Sequence, residues 1–294
     1  MIKYGFDVVL TRKGRNIVET QGQYPLIKVF LNLRINEILD KYLLEDNGVV
    51  KSFYGRDFFE CIDISGNHAL IGRDKLVLNS KLREEEILNS FLEPSILFAE
   101  YLHKRLVLHG SVFGINKKAY LVIAPSGTGK STLVTAMIKY MNAFLIADDL
   151  AVISEDMQNV YSGDSHIRLC KDTEEKLCNK FEIESIREID MKRELHFKDD
   201  VRKQFEYNIA GIIVLENEDT KNMDIKRIKG HIGMLKIIEN IKPLSIIESS
   251  YFDFIMQKVQ IILEKIPIYQ VALRREYNLL PQQMDLLVKY LTAI

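Results

Sequence analysis

The chain has 294 residues, enough for one large domain or two smaller ones, and 47% of them are hydrophobic, so a sizeable core can form. With 40 basic against 41 acidic residues the net charge is −1, which gives no global pull toward nucleic acid or an anionic membrane. Any phosphate chemistry therefore has to come from a local site. The three cysteines, Cys61, Cys170 and Cys178, are odd in number and form no CxxC. Reduced thiols in a cytoplasm are expected, not a disulfide framework. Cys170 and Cys178 have no histidine pair at ligand spacing beside them and read as buried, inert thiols. The first residues lack a signal peptide's apolar core, and no run of about 18 apolar residues could span a membrane.

Residues 1–80 read as a β-rich N-terminal domain. Short runs such as FDVVL, LIKVFLNL, FFECIDI and KLVLN are rich in β-branched and aromatic residues and are separated by polar or glycine turns. Residues 37–44 could form a short helix. Residues 83–105 change to a helical period, carried by Ile87, Phe91, Ile96, Phe98 and Leu102, with Pro94 expected to split or kink the helix. Residues 81–294 read as a second, α/β domain. Strands RLVLHGSVFGI and KAYLVIA flank the turn NK, and a loop leads into the helix STLVTAMIKYM. The next strand, AFLIADDLAVI, is interrupted only by its two aspartates. A buried strand NIAGIIVLEN, a helix over residues 246–265, a strand IPIYQVAL and a helix from about Pro281 complete the chain.

The loop between the second strand and the helix carries the chemistry. Ala124-Pro125-Ser126-Gly127-Thr128-Gly129-Lys130-Ser131 fits the phosphate-loop pattern, with Ala124 in place of the first glycine. Gly127 and Gly129 allow positive φ and close backbone approach. Successive N–H groups can form a nest for phosphate oxygens, and the helix start adds its dipole. Ser126, Gly127, Thr128, Gly129, Lys130, Ser131 and Thr132 are thus the expected nucleotide-binding residues. Lys130 would reach the terminal phosphates and Ser131 a Mg²⁺ ion. Asp148 and Asp149 end the following strand, where carboxylates point to the ligand-binding mouth of an α/β sheet. One can hold Mg²⁺ and the other can accept a proton from an attacking hydroxyl.

Taken together, VLHGSV, APSGTGKSTL and LIADDLAVI resemble the catalytic core of the HPr kinase/phosphorylase family, itself similar to that of ATP-dependent phosphoenolpyruvate carboxykinase. The flanks ILFAEYLHKRLVLHGSVF, HIRLCKDTEEKL and IPIYQVAL resemble HPr-kinase-like proteins of peptide-modification clusters, including lasso-peptide kinases. The resemblance covers roughly residues 60–290. It implies a P-loop kinase core of the HPr kinase/PEP carboxykinase type that uses ATP and Mg²⁺. It adds His109 to the catalytic set of Lys130, Asp148 and Asp149, and places Arg168 near substrate or phosphates. It matches Ser131 to the metal-binding serine and the aspartate pair to a base and a metal-linked partner without deciding which is which (Ser131 and Asp149 being taken for the metal). The acceptor it implies is a serine of a peptide or protein, in the sharpest form a lasso-type precursor peptide, with no nucleic-acid or membrane partner and a homo-oligomer left open. The signature segment of bifunctional HPr kinases is absent, so phosphorylase activity and HPr as substrate are not implied.

A regulatory nucleotide-binding module and a kinase of free serine are the alternatives. The basic stretch 221–236, with Gly230 and Gly233, reads as a loop that could serve as a mobile substrate flap. His68, His103, His166, His196 and His231 look isolated and are assigned to the surface.

Overall fold

The computed structural model describes residues 92–163, 166–179, 181–189, 191–197, 205–218, 220–242 and 249–292, and the strands that precede residue 80. The expected helix over residues 37–44 and the first half of the one over 83–105 lie outside the described residues. The chain divides into two compact units, Met1–Arg105 with Pro243–Phe252, and Leu106–Lys242 with Asp253–Ile294. The division falls at Arg105, whereas the sequence reading drew it near residue 80. Among the described residues, no helix is long and apolar enough to cross a membrane.

In the first unit, strands β1 (Ile2–Lys3), β2 (Phe6–Arg12), β3 (Arg15–Asn16), β4 (Leu26–Leu31), β5 (Lys51–Gly55), β6 (Phe58–Ile62), β7 (His68–Gly72) and β8 (Lys75–Asn79) form one sheet. Its order is β1-β2-β4-β8-β7-β6-β5, with β3 on β2. Strands β5 to β8 run as an antiparallel meander, while β2, β4 and β8 pair in parallel. Helix α1 (Leu92–Leu102) packs on β6 and β7 and holds Pro94 in its first turn, where the missing N–H has no helical partner to lose.

The second unit is built on two ten-residue strands, β9 (Leu106–Ile115) and β17 (Glu206–Leu215). Each is long enough to serve two sets of partners. The later part of β9 pairs antiparallel with β10 (Lys118–Ile123) on one edge and β11 (Phe144–Ala147) on the other. Its start pairs with β12 (Leu150–Ile153). Strand β13 (Asn159–Tyr161) joins β12 to the start of β17, and the rest of β17 runs parallel to β10, which closes the ladder on itself. Beyond β17 lie β19 (Ile268–Ala272), parallel, and β18 (Asp224–Ile228), antiparallel, at the edge. Strands β10 and β17 are near-continuous apolar runs because helices cover this part of the sheet. Helix α2 (Lys130–Met141) lays Leu133, Val134 and Met137 into a core shared with Met284, Leu287 and Leu291 of α6 (Leu280–Thr292).

A small antiparallel sheet sits beside this core, in the order β14 (His166–Leu169), β16 (Lys192–Phe197), β15 (Ile183–Ile189). Helix α3 (Lys171–Leu177) follows β14. The expected flap over residues 221–236 is regular structure: edge strand β18, then helix α4 (Gly230–Ile238). Ile228 is buried, and a Cβ on Gly233 would come within 3.1 Å of Leu263 and 3.2 Å of Ile268. Gly233 therefore serves close packing against α5 (Ser249–Lys265) and β19, not hinge motion.

Gly110, in the middle of β9, is the tightest of these approaches to backbone. A Cβ there would lie 2.8 Å from the carbonyl oxygen of Val122, which the sheet holds in place. Gly110→Ala is expected to destabilise the protein by roughly 1–3 kcal/mol, read as a lowered thermal midpoint. An unchanged midpoint would show that the β9–β10 ladder yields at this point.

Candidate functional site

Strand β10 ends at Ile123 and helix α2 begins at Lys130, so the loop between them opens at the carboxyl end of the parallel strands. Gly127 has φ 80° and Gly129 φ 106°, a region closed to most side chains. Nothing lies within 4 Å of where a Gly127 Cβ would stand, so this glycine answers to backbone conformation and leaves the loop's face open. Gly129 caps α2 without a side-chain hydrogen bond, which leaves the helix start available to an anion. Lys130 curls back over the loop. Its Nζ donates to the carbonyl oxygens of Ala124 (2.8 Å) and Pro125 (3.1 Å) and lies 3.0 Å from His109 Nε2. Burial lowers its pKa to about 8, although Asp148 and Asp149 pull the other way.

The two aspartates fall between β11 and β12, facing the middle of β9, where Gly110 N donates to Asp149 O. Asp149 takes a left-handed φ of 70°, a conformation aspartate tolerates better than most residues. The adjacent carboxylates end in different surroundings. Asp148 is 4% exposed and accepts from Ser111 Oγ, from Ser131 Oγ (3.0 Å) and from the Arg168 amide (2.9 Å). Burial raises its pKa against those three donors. Asp149 is more open. Its Oδ1 lies 3.3 Å from His109 Nδ1 and its Oδ2 accepts from Arg168 at 3.1 Å. The His109 hydrogen bond is the largest influence on Asp149 and, with Arg168 and Lys130, holds it down at about 2. The same contacts indicate the tautomer of His109: Nε2 accepts from Lys130 and Nδ1–H donates to Asp149.

The cleft that gathers these groups has a volume of about 490 Å³. It brings together His109, Ser126, Gly127, Gly129, Lys130, Ser131, Thr132, Asp148, Asp149 and Arg168. Of the sequence candidates, Thr128 alone is turned away. It is 6% exposed and lines an adjoining recess of about 340 Å³ with Leu215, Arg275 and Tyr277. The sequence reading paired Ser131 with Asp149 at the metal, but the structure sets Ser131 against Asp148.

Four residues escaped the sequence reading. Ser111 shares the face of β9 with His109, a period-two relation that was legible but had no motif to draw attention to it. Glu194 reaches Arg168 Nε at 3.0 Å from β16, twenty-six residues away. Lys192 and the 93% exposed Met191 also border the cleft. Two earlier assignments change. His166 is buried and His196 half-buried, both beside Glu194, because β14 and β16 pair here. Cys178 is buried, its thiol pushed up to about 12 by burial, but Cys170 is exposed at the cleft.

No protein-family model and no curated protein matches the chain. Among solved structures it is similar to the Hpr(Ser) kinase/phosphatase from Coxiella burnetii, with 14% identity over 63% of this chain and 94% of that one, at a TM-score of 0.31. So shallow a superposition leaves the chemistry to be read from this chain's own side chains.

Removing the imidazole of His109 takes away the largest influence that lowers Asp149. In His109→Ala the Asp149 carboxyl is expected to titrate upward from about 2 toward the ordinary aspartate value, as read by carboxyl-carbon NMR. A titration unmoved by the substitution would mean that Arg168 and Lys130 set it without the imidazole.

Proposed function

We propose that this chain is an ATP-dependent phosphotransferase that moves the γ-phosphoryl group to a serine hydroxyl of a peptide or protein, acting in the cytoplasm. The observation that carries the reading is convergence. The glycine loop, its lysine, a hydroxyl–carboxylate pair and a second, separately tuned carboxylate all open onto one cleft. A nucleotide-binding module without transfer would have no need for the second carboxylate.

The loop's open backbone face and the unpaired start of α2 suit a triphosphate. The recess beyond Thr128, floored by Leu215 and Leu280 and edged by Tyr277, has room for the nucleoside. Ser131 Oγ and Asp148 are oxygen donors of the kind Mg²⁺ prefers, so these two residues would hold the ion, in place of the Ser131–Asp149 pairing. The bound ion supplies charge neutralisation on the phosphate oxygens. Lys130 swings from the carbonyls it now caps to the terminal phosphates. His109 orients Asp149, which accepts the proton of the attacking hydroxyl. The serine oxygen forms its bond to Pγ as the bond from Pγ to the bridging oxygen breaks, and ADP leaves. A carboxylate held near 2 is a weak base, which suits a loose transition state in which the proton moves late. Arg168, already on Asp149, lies where it can meet the incoming phosphate charge. A serine in a ribosomal precursor peptide of lasso type is the acceptor we favour, on the sequence resemblance of the flanks.

The direct test is incubation with γ-labelled ATP, Mg²⁺ and a serine peptide, beside its Ser→Ala counterpart and free serine. Label on the peptide serine is expected. ATP binding without acceptor-dependent turnover would turn the reading toward the regulatory module. Lys130→Ala should lose roughly 1.5–3 kcal/mol of transition-state binding, about tenfold or more in kcat/KM. Asp149→Asn should lower kcat with little change in ATP affinity, while Asp148→Asn should raise the Mg²⁺ requirement. Turnover indifferent to both substitutions would refute the assignment.

The lysine also sets a pH dependence. Its pKa is about 8 in the free site, and bound phosphate favours the charged form. ATP affinity is then constant below that value and falls by about tenfold per pH unit above it, with proton uptake on binding. Calorimetry in buffers of different ionisation enthalpy measures both, and an affinity flat from pH 7 to 9.5 would contradict the role of Lys130.

A further inference from the structure

We infer that His166, Glu194 and His196 form a second metal site, separate from the Ser131–Asp148 pair, that takes a first-row transition-metal dication of the zinc class. In the β14–β16 ladder His166 stands directly opposite His196, and Arg168 opposite Glu194. Residues two apart on a strand share a face, so all four side chains project from the same side of the small sheet. His166 Nε2 lies 3.6 Å from Glu194 Oε2, and His196 Nε2 lies 3.4 Å from Glu194 Oε1. The three donor atoms lie within 4.8 Å of one another. Donors bound tetrahedrally at about 2.0–2.1 Å stand roughly 3.4 Å apart, so each imidazole nitrogen is already near that separation from one of the two Glu194 oxygens. Side-chain rotations would bring the three groups onto one ion.

The donor set narrows the ion. Two imidazoles and one carboxylate suit zinc and its neighbours, whereas Mg²⁺ and Ca²⁺ prefer oxygen donors. Three protein ligands leave a fourth position open to water. Glu194 and His166 are each 6% exposed and so held in place, while the side chain of His196 keeps 33% exposure as a way in. Arg168 Nε donates to Glu194 Oε2, the kind of outer hydrogen bond that steadies a ligating carboxylate. Arg168 already gives Glu194 a charged partner. Two further imidazoles, both presenting Nε2 to its two oxygens, exceed what a buried carboxylate needs. Because Arg168 bridges Glu194 and Asp149, an ion on Glu194 would weaken its hold on the guanidinium and leave Arg168 more to Asp149. That consequence matters to catalysis only under the phosphotransfer reading, whereas the metal site does not depend on it.

The test uses the full chain, stripped with a chelator, without nucleotide and with excess Mg²⁺ to occupy oxygen sites. Zn²⁺ is titrated by calorimetry, and Co²⁺ is followed by its visible absorption. One equivalent per chain is expected, with the strong band of a low-coordinate Co²⁺ centre. His196→Ala should weaken binding at least tenfold, and so should Glu194→Gln, which keeps the shape of the side chain, while Asp148→Asn should leave it unchanged. No uptake by the unmodified protein, equal uptake by it and both ligand variants, or uptake lost only on Cys170→Ser would overturn the proposal. Since no phosphate transfer is measured, failure of the kinase assay leaves this result standing.

Discussion

A carboxylate that an apolar sheet would rather protonate is what the second unit is arranged to hold. Asp148 ends a buried strand at 4% exposure, and burial, with a smaller push from the neighbouring Asp149 charge, drives its pKa upward. An unpaired buried carboxylate is costly, so the site has to supply donors. They come from three elements far apart in the chain: Ser111 on β9, Ser131 at the start of α2 and the Arg168 amide on β14. None of the three reaches it unless the central strand, the loop's helix and the small sheet come together. The same convergence forms the cleft.

Asp149, one residue on, meets the opposite environment. Its left-handed backbone turns the side chain toward His109 and Arg168, both of which favour its charge. From Lys130 through His109, Asp149 and Arg168 to Glu194, donors and acceptors alternate without a gap. Each member fixes the next, so the imidazole tautomer and the placement of the guanidinium follow from one chain of contacts. Glu194 at its end is drawn upward by burial and downward by His166, Arg168 and His196, and the downward influences win. The path ends in the pair of histidines, which is why a metal there would be felt at Asp149.

Local constraints were legible from residue types. Gly127 and Gly129 stand out because their φ values are ones other residues rarely adopt, and the helix behind them follows from its apolar spacing. The aspartate pair was visible as a break in an apolar run, and the strand does break there, into β11 and β12. The misreadings share one cause. His166, His196 and Glu194 looked unrelated because their meeting depends on the β14–β16 register. Residues 221–236 looked loop-like because their charges and glycines were read without the partner strand β19 and the helix against Gly233.

The amino-acid sequence by itself determined the positive-φ backbone of the glycine loop, the apolar strands that flank it and the place of the two carboxylates, because each rests on steric or hydrophobic demands within a few residues. Only the tertiary structure decided which aspartate faces Ser131, which one His109 orients, and that Glu194 and two histidines share one face of a sheet. Those outcomes depend on which strands pair and in what register, and distances between side chains twenty or more residues apart exist only once the chain has folded.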